Sequence, residues 1–126
     1  MNDTALRVLL VEDSPLLAER LREALGQLAG VEIVGTADTE QSAVSMIGNS
    51  QVDVVILDLQ LKVGTGFGVL QKLGTIRPIV IVLTNFALPA YQQRARELGA
   101  EHFLDKSRDY ERLPGVIEAL RAGLVR

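Results

Sequence analysis

The fold is most readable at residues 53–61, whose sequence is DVVILDLQL. The four consecutive apolar residues at positions 54–57 are typical of a strand that is buried on both faces of a sheet. The run ends at Asp58, a carboxylate at the rim of an apolar core, where its desolvation is costly. Asp58 therefore either begins a turn or is held at that rim because it carries out chemistry.

Strand-like runs alternate with helical patterns along the whole chain. The runs cover residues 6–11, 31–36, 53–57, 79–83 and 101–104. Ser14 and Pro15 are a suitable N-cap and first residue for the first helix, and we expect the last helix to begin near Pro114. This alternation predicts right-handed crossovers and a parallel sheet that is covered on both faces. We therefore expect one α/β domain over residues 1–126, with a doubly wound five-stranded parallel sheet and five helices.

Composition excludes several other classes of protein. The chain has 126 residues, no cysteine and a net charge of −3. The absence of cysteine fits a reducing compartment and excludes disulfide scaffolds, thiol catalysis and thiolate metal sites. No apolar run approaches the roughly 18–20 residues that span a bilayer, and the first residues lack a signal-peptide core, so we expect a cytoplasmic protein without a membrane partner. Without a basic block, direct binding to nucleic acid is not expected.

Polar side chains follow four of the predicted strands, at the edge where parallel strands end together. They are Glu12 and Asp13 after the first strand, Asp58 after the third, Thr84 after the fourth and Lys106 after the fifth. Ligands bind at this edge in open α/β sheets. Each residue alone has an ordinary structural explanation, such as a turn or a solvated charge. Their coincidence at one edge favours a functional site.

Three carboxylates at one edge predict a site for a hard divalent cation. Two like charges ~4 Å apart repel by roughly 4 kcal/mol at an effective dielectric near 20, so such a group raises its pKa values or binds a cation. Oxygen ligands without histidine or cysteine favour Mg²⁺, or Mn²⁺, over zinc. A cation and Lys106 would neutralise charge on a phosphoryl group while Asp58 attacks it in line.

Four stretches together resemble the receiver domains of two-component response regulators. They are VLLVEDS at residues 8–14, VVILDLQL at residues 54–61, IVLTN at residues 81–85 and HFLDKS at residues 102–107. The resemblance covers essentially the whole chain and implies a flavodoxin-like sheet in the strand order 2-1-3-4-5. The HFLDKS ending is most similar to small stand-alone receivers of the chemotaxis type.

Carried over by position, the resemblance implies a role for each residue at the edge. Asp58 would accept a phosphoryl group from a histidine kinase or a histidine phosphotransfer protein. Glu12 and Asp13 would be the acidic pair for Mg²⁺, with Asp58 and the backbone carbonyl of Gln60 as further ligands. Lys106 would pair with the phosphoryl group. The chain would then assist its own phosphorylation and dephosphorylation without being an enzyme that acts on other substrates.

The resemblance also implies a switch and an output surface. Thr84 would be the switch hydroxyl and Phe103 the switch aromatic, which would turn from an exposed to a buried position on phosphorylation. Gly66 matches the family's glycine eight residues after the phosphoacceptor. A downstream protein target would bind the face of the fourth helix, fifth strand and fifth helix, where the candidate contacts are Tyr91, Arg94 and Tyr110.

Two departures from the family pattern affect loops. Lys62 stands where the family usually has a proline, four residues after the phosphoacceptor, and Ser107 replaces the proline after the lysine. A cis bond costs about 0.5–1 kcal/mol before proline and roughly 2.5–4 kcal/mol before other residues. We therefore expect a trans bond between Lys106 and Ser107, with Arg108 and Asp109 changing the chain direction before the last helix.

Two other functions are open on the sequence alone. One is a receiver segment of a longer transcriptional regulator that binds DNA through another part of its chain. The other is a flavodoxin-like cofactor-binding or hydrolytic enzyme, although an aspartyl-phosphate hydrolase needs a second carboxylate where Gln60 stands. The GTGFG stretch at residues 64–68 is a poor dinucleotide loop, because it does not open the first βα unit and lacks the third glycine.

Overall fold

Five parallel strands form one sheet in this computed structural model, which describes residues 5–74 and 77–124. The strand order is β2-β1-β3-β4-β5. The strands are β1 (Leu6–Val11), β2 (Val31–Ala37), β3 (Val54–Leu57), β4 (Ile79–Thr84) and β5 (His102–Asp105). The predicted fold class and the order implied by the resemblance are both confirmed.

Helices connect the strands and cover both faces of the sheet. They are α1 (Pro15–Gly26), α2 (Glu40–Asn49), α3 (Gly66–Lys72), α4 (Pro89–Glu97), α5 (Lys106–Asp109), a 3-10 turn (Tyr110–Arg112) and α6 (Leu113–Leu124). As predicted, α1 begins at Pro15, and the Ser14 hydroxyl accepts the N–H of Leu17 at 3.3 Å. None of the helices in the described residues is both long and apolar enough to cross a membrane.

The core is divided by the sheet into two layers, because successive strand residues point to opposite faces. Leu9, Val55 and Val82 face one layer, where they pack with buried residues of α2, α3 and α4. Leu10 and Ile56 face the other layer, where they pack with α1 and α6. Burial on both faces explains why the strands read as continuous apolar runs without polar alternation.

The ends of the last two strands differ from the prediction. Thr84 and Asp105 are the final residues of β4 and β5, and do not follow those strands. The last helix, α6, begins at Leu113, which confirms the prediction of a start near Pro114. Arg108 and Asp109, which were expected to change the chain direction before that helix, lie in the short helix α5, which was not predicted. Apolar periodicity missed α5 because this short helix depends on polar caps.

The described residues contain no cis peptide bond, so the Lys106–Ser107 bond is trans, as predicted. The N–H of Ser107 donates to Asp105 Oδ1 at 2.9 Å, and the N–H of Lys62 donates to the carbonyl oxygen of Asp38, also at 2.9 Å. Proline has no N–H and makes neither bond. At both positions where the family usually has proline, this chain therefore uses the backbone hydrogen that proline lacks.

Gly66 lies where two backbone segments come close together. A Cβ at this position would overlap the carbonyl oxygen of Asp58 and lie 2.9 Å from the Cα of Leu59. The N–H of Gly66 also donates to the carbonyl oxygen of Leu59 at 2.9 Å. Glycine is therefore required here for close approach, in agreement with the family pattern.

We expect Gly66→Ala to destabilise the fold by about 1–3 kcal/mol, because the added methyl group forces the backbone after Asp58 to move. Gly48→Ala is the matched control, since a Cβ at Gly48 in α2 meets nothing within 4 Å. That control should gain roughly 0.5–1 kcal/mol, the usual difference between glycine and alanine in a helix. Urea unfolding of both variants measures the difference, and equal stabilities would contradict the close approach.

Candidate functional site

Three carboxylates converge at the carboxyl edge of β1 and β3. Glu12, Asp13 and Asp58 each offer an oxygen that lies within 4.8 Å of the others. Glu12 and Asp58 are 5% and 4% exposed, and Asp13 is the most exposed of the three. The structure therefore brings together the three acidic side chains that the sequence predicted for a metal site.

Lys106 completes this cluster from the other side of β4. Its Nζ donates to Asp58 Oδ2 at 2.8 Å and lies 2.9 Å from Glu12 Oε1. The lysine side chain is 12% exposed, so the ammonium is largely shielded from water. The Lys106 ammonium thus offsets part of the repulsion between the buried carboxylates of Asp58 and Glu12.

Burial and hydrogen bonding act in opposite directions on the charges of the site. Burial raises the pKa of Glu12 above its ordinary value, although hydrogen bonds from Lys106 and from the Ser14 N–H at 3.0 Å lower it. Burial lowers the pKa of Lys106, but its hydrogen bonds to Asp58 and Glu12 outweigh burial and leave that pKa raised. Lys106 is therefore charged at neutral pH.

The loop after β3 returns to the carboxylate of Asp58. The N–H of Gln60 donates to Asp58 Oδ1 at 3.3 Å, and Gln60 forms an isolated antiparallel bridge with Thr65. This places the backbone of Gln60 beside the carboxylate cluster. Three carboxylates, without a histidine or cysteine among them, form an oxygen donor set that fits Mg²⁺.

Thr84 and Phe103 occupy neighbouring strands at the same edge. Thr84 is fully buried, and its Oγ1 accepts the N–H of Phe86 at 3.2 Å. Phe103 lies opposite Val82 in the β4–β5 register and is partly buried against the layer that contains α4. The Thr84 hydroxyl is thus held by the loop after β4, and the Phe103 ring is partly buried, not exposed as the resemblance led us to expect, because it packs against the α4 layer.

The three candidate contacts on the predicted output face differ in their surroundings. Tyr91 on α4 is 37% exposed and meets Phe67 and Phe86 edge-on, with ring centroids 6.0 and 6.4 Å away. Arg94 is exposed on the same helix. Tyr110 is partly buried and packs against the layer of α1 and α6. Tyr91 and Arg94 are therefore the more accessible of the three.

Asp109 supports the start of α5, a role that the sequence did not predict for it. Its Oδ2 accepts the N–H of Asp105 at 3.0 Å, and this hydrogen bond lowers the pKa of the Asp109 carboxyl. The Asp105 side chain in turn caps the N–H of Ser107. Two aspartates spaced by four residues around Lys106 thus fix the start of α5, and that spacing was the available signal.

Comparison with known proteins identifies the family. Residues 8–118 match the family model of the response regulator receiver domain. The chain belongs to this family. Aspartyl phosphorylation and Mg²⁺ binding are general properties of receiver domains, and membership decides between a receiver and a flavodoxin-like enzyme in favour of the receiver.

The receiver matches one part of each of two longer relatives. Transcriptional regulatory protein DesR of Bacillus subtilis (strain 168) is 32% identical over 116 residues, which cover 92% of this chain and 58% of DesR. Protein-glutamate methylesterase/protein-glutamine glutaminase 1 of Dechloromonas aromatica (strain RCB) is 35% identical over 105 residues, which cover 81% of this chain and 30% of that protein. The receiver therefore spans less than two thirds of either relative.

A solved structure shows the same fold. The response regulator domain of Thermotoga maritima CheB matches this chain with a TM-score of 0.84 at 21% identity, covering 97% of this chain and 98% of that domain. At this level of identity the likeness concerns the fold alone.

The raised pKa of Glu12 predicts a stability change for Glu12→Gln in EDTA. A carboxyl whose pKa is raised by folding contributes its full stabilisation when the pH is below its ordinary pKa of 4.5. That contribution is lost as the pH rises through the raised pKa of the folded state. We expect the variant to be more stable than the wild type at about pH 7.5, because the neutral amide does not carry the desolvation cost that raises the pKa of the buried Glu12 carboxyl.

Unfolding curves across the pH range test this expectation. The difference between variant and wild type should close as the pH falls below 4.5, the ordinary pKa of a glutamate. Glu23→Gln, on the exposed surface of α1, is the control and should show little difference at any pH. A Glu12→Gln variant that is less stable than the wild type at neutral pH would contradict the argument.

Proposed function

We propose that Asp58 accepts a phosphoryl group from a histidine kinase or a histidine phosphotransfer protein, and that the phosphorylated receiver switches a protein-binding surface. The observation that carries this proposal is the geometry at Asp58. Its carboxylate is buried, lies within 4.8 Å of two further carboxylates and is held at 2.8 Å by the Lys106 ammonium. An acceptor carboxylate beside a cation site and a fixed ammonium suits phosphoryl transfer.

The transfer requires one bond to form and one to break. An Asp58 carboxylate oxygen bonds to phosphorus while the bond from phosphorus to the donor nitrogen breaks, and the imidazole leaves. Lys106, already between Asp58 and Glu12, is placed to donate to an oxygen of the transferred group. Glu12, Asp13, Asp58 and the Gln60 carbonyl are proposed as ligands of Mg²⁺, which when bound would neutralise negative charge on the phosphoryl oxygens.

The switch is proposed to begin at Thr84. The phosphoryl group on Asp58 draws the Thr84 hydroxyl away from the N–H of Phe86, and Phe103 then turns further inward. These movements alter the face of α4, β5 and the run from α5 to α6, where the downstream protein target binds. The receiver is proposed to act in the cytoplasm, without direct contact with nucleic acid or membrane.

A second proposal concerns the output of the whole protein. The matched relative DesR is named as a transcriptional regulatory protein, and this chain covers 58% of it. A receiver segment within a longer DNA-binding regulator would use the same phosphoacceptor site with a different output. The sequence of the full-length gene distinguishes this alternative from a stand-alone receiver.

Phosphoryl transfer predicts covalent labelling of Asp58. Incubation with phosphoramidate or acetyl phosphate and Mg²⁺ should add one phosphoryl group to the intact protein, as measured by mass spectrometry. The label should disappear in EDTA and in Asp58→Asn, because the cation and the attacking carboxylate are then missing.

The matched control for this experiment is Asp53→Asn. Asp53 precedes β3 and accepts the Arg7 N–H at 2.8 Å, a role that asparagine retains. This variant should be labelled like the wild type. Undiminished labelling of Asp58→Asn would contradict the assignment of Asp58 as the residue that accepts the phosphoryl group.

The switch predicts that Thr84→Val uncouples the site from the output face. Valine keeps the shape of threonine but lacks the hydroxyl, so Asp58 should still be labelled at a rate within about tenfold of the wild type. Beryllofluoride with Mg²⁺ should shift the amide NMR signals of Phe103 and α4 in the wild type and leave them nearly unmoved in the variant.

Thr36→Val on β2 is the control for loss of a strand hydroxyl, and its signals should respond like those of the wild type. Full beryllofluoride shifts at Phe103 in Thr84→Val would argue against the proposed coupling.

A further inference from the structure

We propose that Glu40 is a positioning residue for phosphoryl transfer, because its carboxylate fastens the loop that carries Gln60 to the start of α2. This loop, residues 58–65, is called the acceptor loop below. The inference rests on the proposed function of Asp58 and concerns a residue that lies on a different element from every group in the carboxylate cluster.

Backbone hydrogen bonds join the acceptor loop to the segment that leads into α2. The N–H of Lys62 donates to the carbonyl oxygen of Asp38, and the N–H of Glu40 donates to the carbonyl oxygen of Val63, each at 2.9 Å. Thr39 and Val63 also form an isolated parallel bridge. The middle of the loop is thus paired with a neighbouring loop, where the family usually has a proline to restrict the chain.

The Glu40 side chain continues this attachment toward the end of the loop. Its Oε1 accepts the N–H of Thr65 at 3.0 Å, and its Oε2 lies 2.6 Å from Lys72 Nζ on α3. The hydrogen bonds from Lys72 and Thr65 lower the pKa of Glu40, so the carboxylate is ionised at neutral pH. The bond to Thr65 is therefore charge-assisted, which makes it stronger than a neutral one.

Two glycines of the GTGFG stretch make room for Glu40. A Cβ at Gly64, whose φ is +85°, would collide with the Glu40 side chain, and a Cβ at Gly68 would overlap its carboxylate. The GTGFG stretch, which superficially suggests a dinucleotide loop, therefore provides the space that the Glu40 carboxylate occupies. Neither glycine is explained by the phosphoacceptor site itself.

The attachment is transmitted to Asp58 through the backbone of the loop. Thr65, held by Glu40, pairs with Gln60, and the N–H of Gln60 donates to Asp58 Oδ1. A change in the position of Thr65 therefore moves the Gln60 backbone beside the acceptor carboxylate. Groups that orient metal ligands in this indirect way affect metal affinity without touching the metal.

Magnesium titration of the full chain tests the role of Glu40. The amide NMR signals of Asp58 and Gln60 report Mg²⁺ binding without any phosphorylation. In Glu40→Ala we expect the Mg²⁺ concentration for half-saturation to rise about threefold to tenfold. Removing a group that directly supports a metal ligand typically lowers the affinity roughly 10- to 100-fold, and Glu40 acts less directly.

Three further variants or readouts separate positioning from general damage. Glu40→Gln keeps an oxygen that accepts the Thr65 N–H, so its Mg²⁺ affinity should recover most of the loss. Glu118→Ala, an exposed acidic residue of α6, removes the same charge and should behave like the wild type. Phosphoramidate labelling of Glu40→Ala at saturating Mg²⁺ should return to within about twofold of the wild-type rate, since Asp58 and Lys106 are intact.

The outcomes distinguish this inference from the proposed function. Unchanged Mg²⁺ affinity in Glu40→Ala, with the Thr65 amide losing its protection from hydrogen exchange, would overturn the role of Glu40. Equal losses in Glu40→Ala and Glu40→Gln would overturn it as well. Failure of the wild type to be labelled at Asp58 would reject the proposed function alone, because the Mg²⁺ titration does not depend on labelling.

Discussion

The ammonium of Lys106 is the interaction on which the rest of the site depends. It lies 2.8 Å from Asp58 and 2.9 Å from Glu12, two carboxylates that the ends of buried strands hold out of water. Removing the ammonium would leave both buried carboxylates without a partner, a loss that typically costs about 3–5 kcal/mol, whereas Lys106 keeps Asp58 as a partner when Glu12 is neutralised. The caps formed by Asp105 and Asp109 therefore matter beyond local helix stability. They begin α5 at Lys106 and so direct its side chain back across β4 to the cluster.

Two loops around this cluster are restrained by hydrogen bonds where the family usually has proline. Proline limits a loop by removing conformations from the unfolded chain, whereas the N–H groups of Lys62 and Ser107 bond to named acceptors in the folded chain. Restraint by these N–H groups works only when their acceptors are in place. Asp38 and Asp105 are consequently part of the loop architecture, and Glu40 adds a third attachment at Thr65.

The sequence predicted the sheet well because the strands are buried on both faces. An apolar run such as residues 54–57 is readable without knowledge of its neighbours, and Asp58 is conspicuous because it ends that run. Glu40 and Asp109 were missed for the opposite reason. Each acts on the backbone of another segment, Thr65 or Asp105, and a contact of that kind exists only once the chain is folded. The start of α5 was missed likewise, because its caps are polar and its apolar face is absent.

The resting position of Thr84 sets a requirement on any signal that passes through it. Its hydroxyl oxygen accepts the N–H of Phe86, so turning that hydroxyl toward Asp58 leaves a partly buried donor without its partner. A lost hydrogen bond of this kind typically costs about 1–3 kcal/mol unless water replaces it. The proposed phosphoryl group on Asp58 would shift the equilibrium only by the difference between its interactions with the two positions of Thr84. Because the Phe86 ring also meets Tyr91 edge-on, the same loop connects this cost to α4, and the proposed switch would be stronger the more readily the Phe86 N–H finds a new partner.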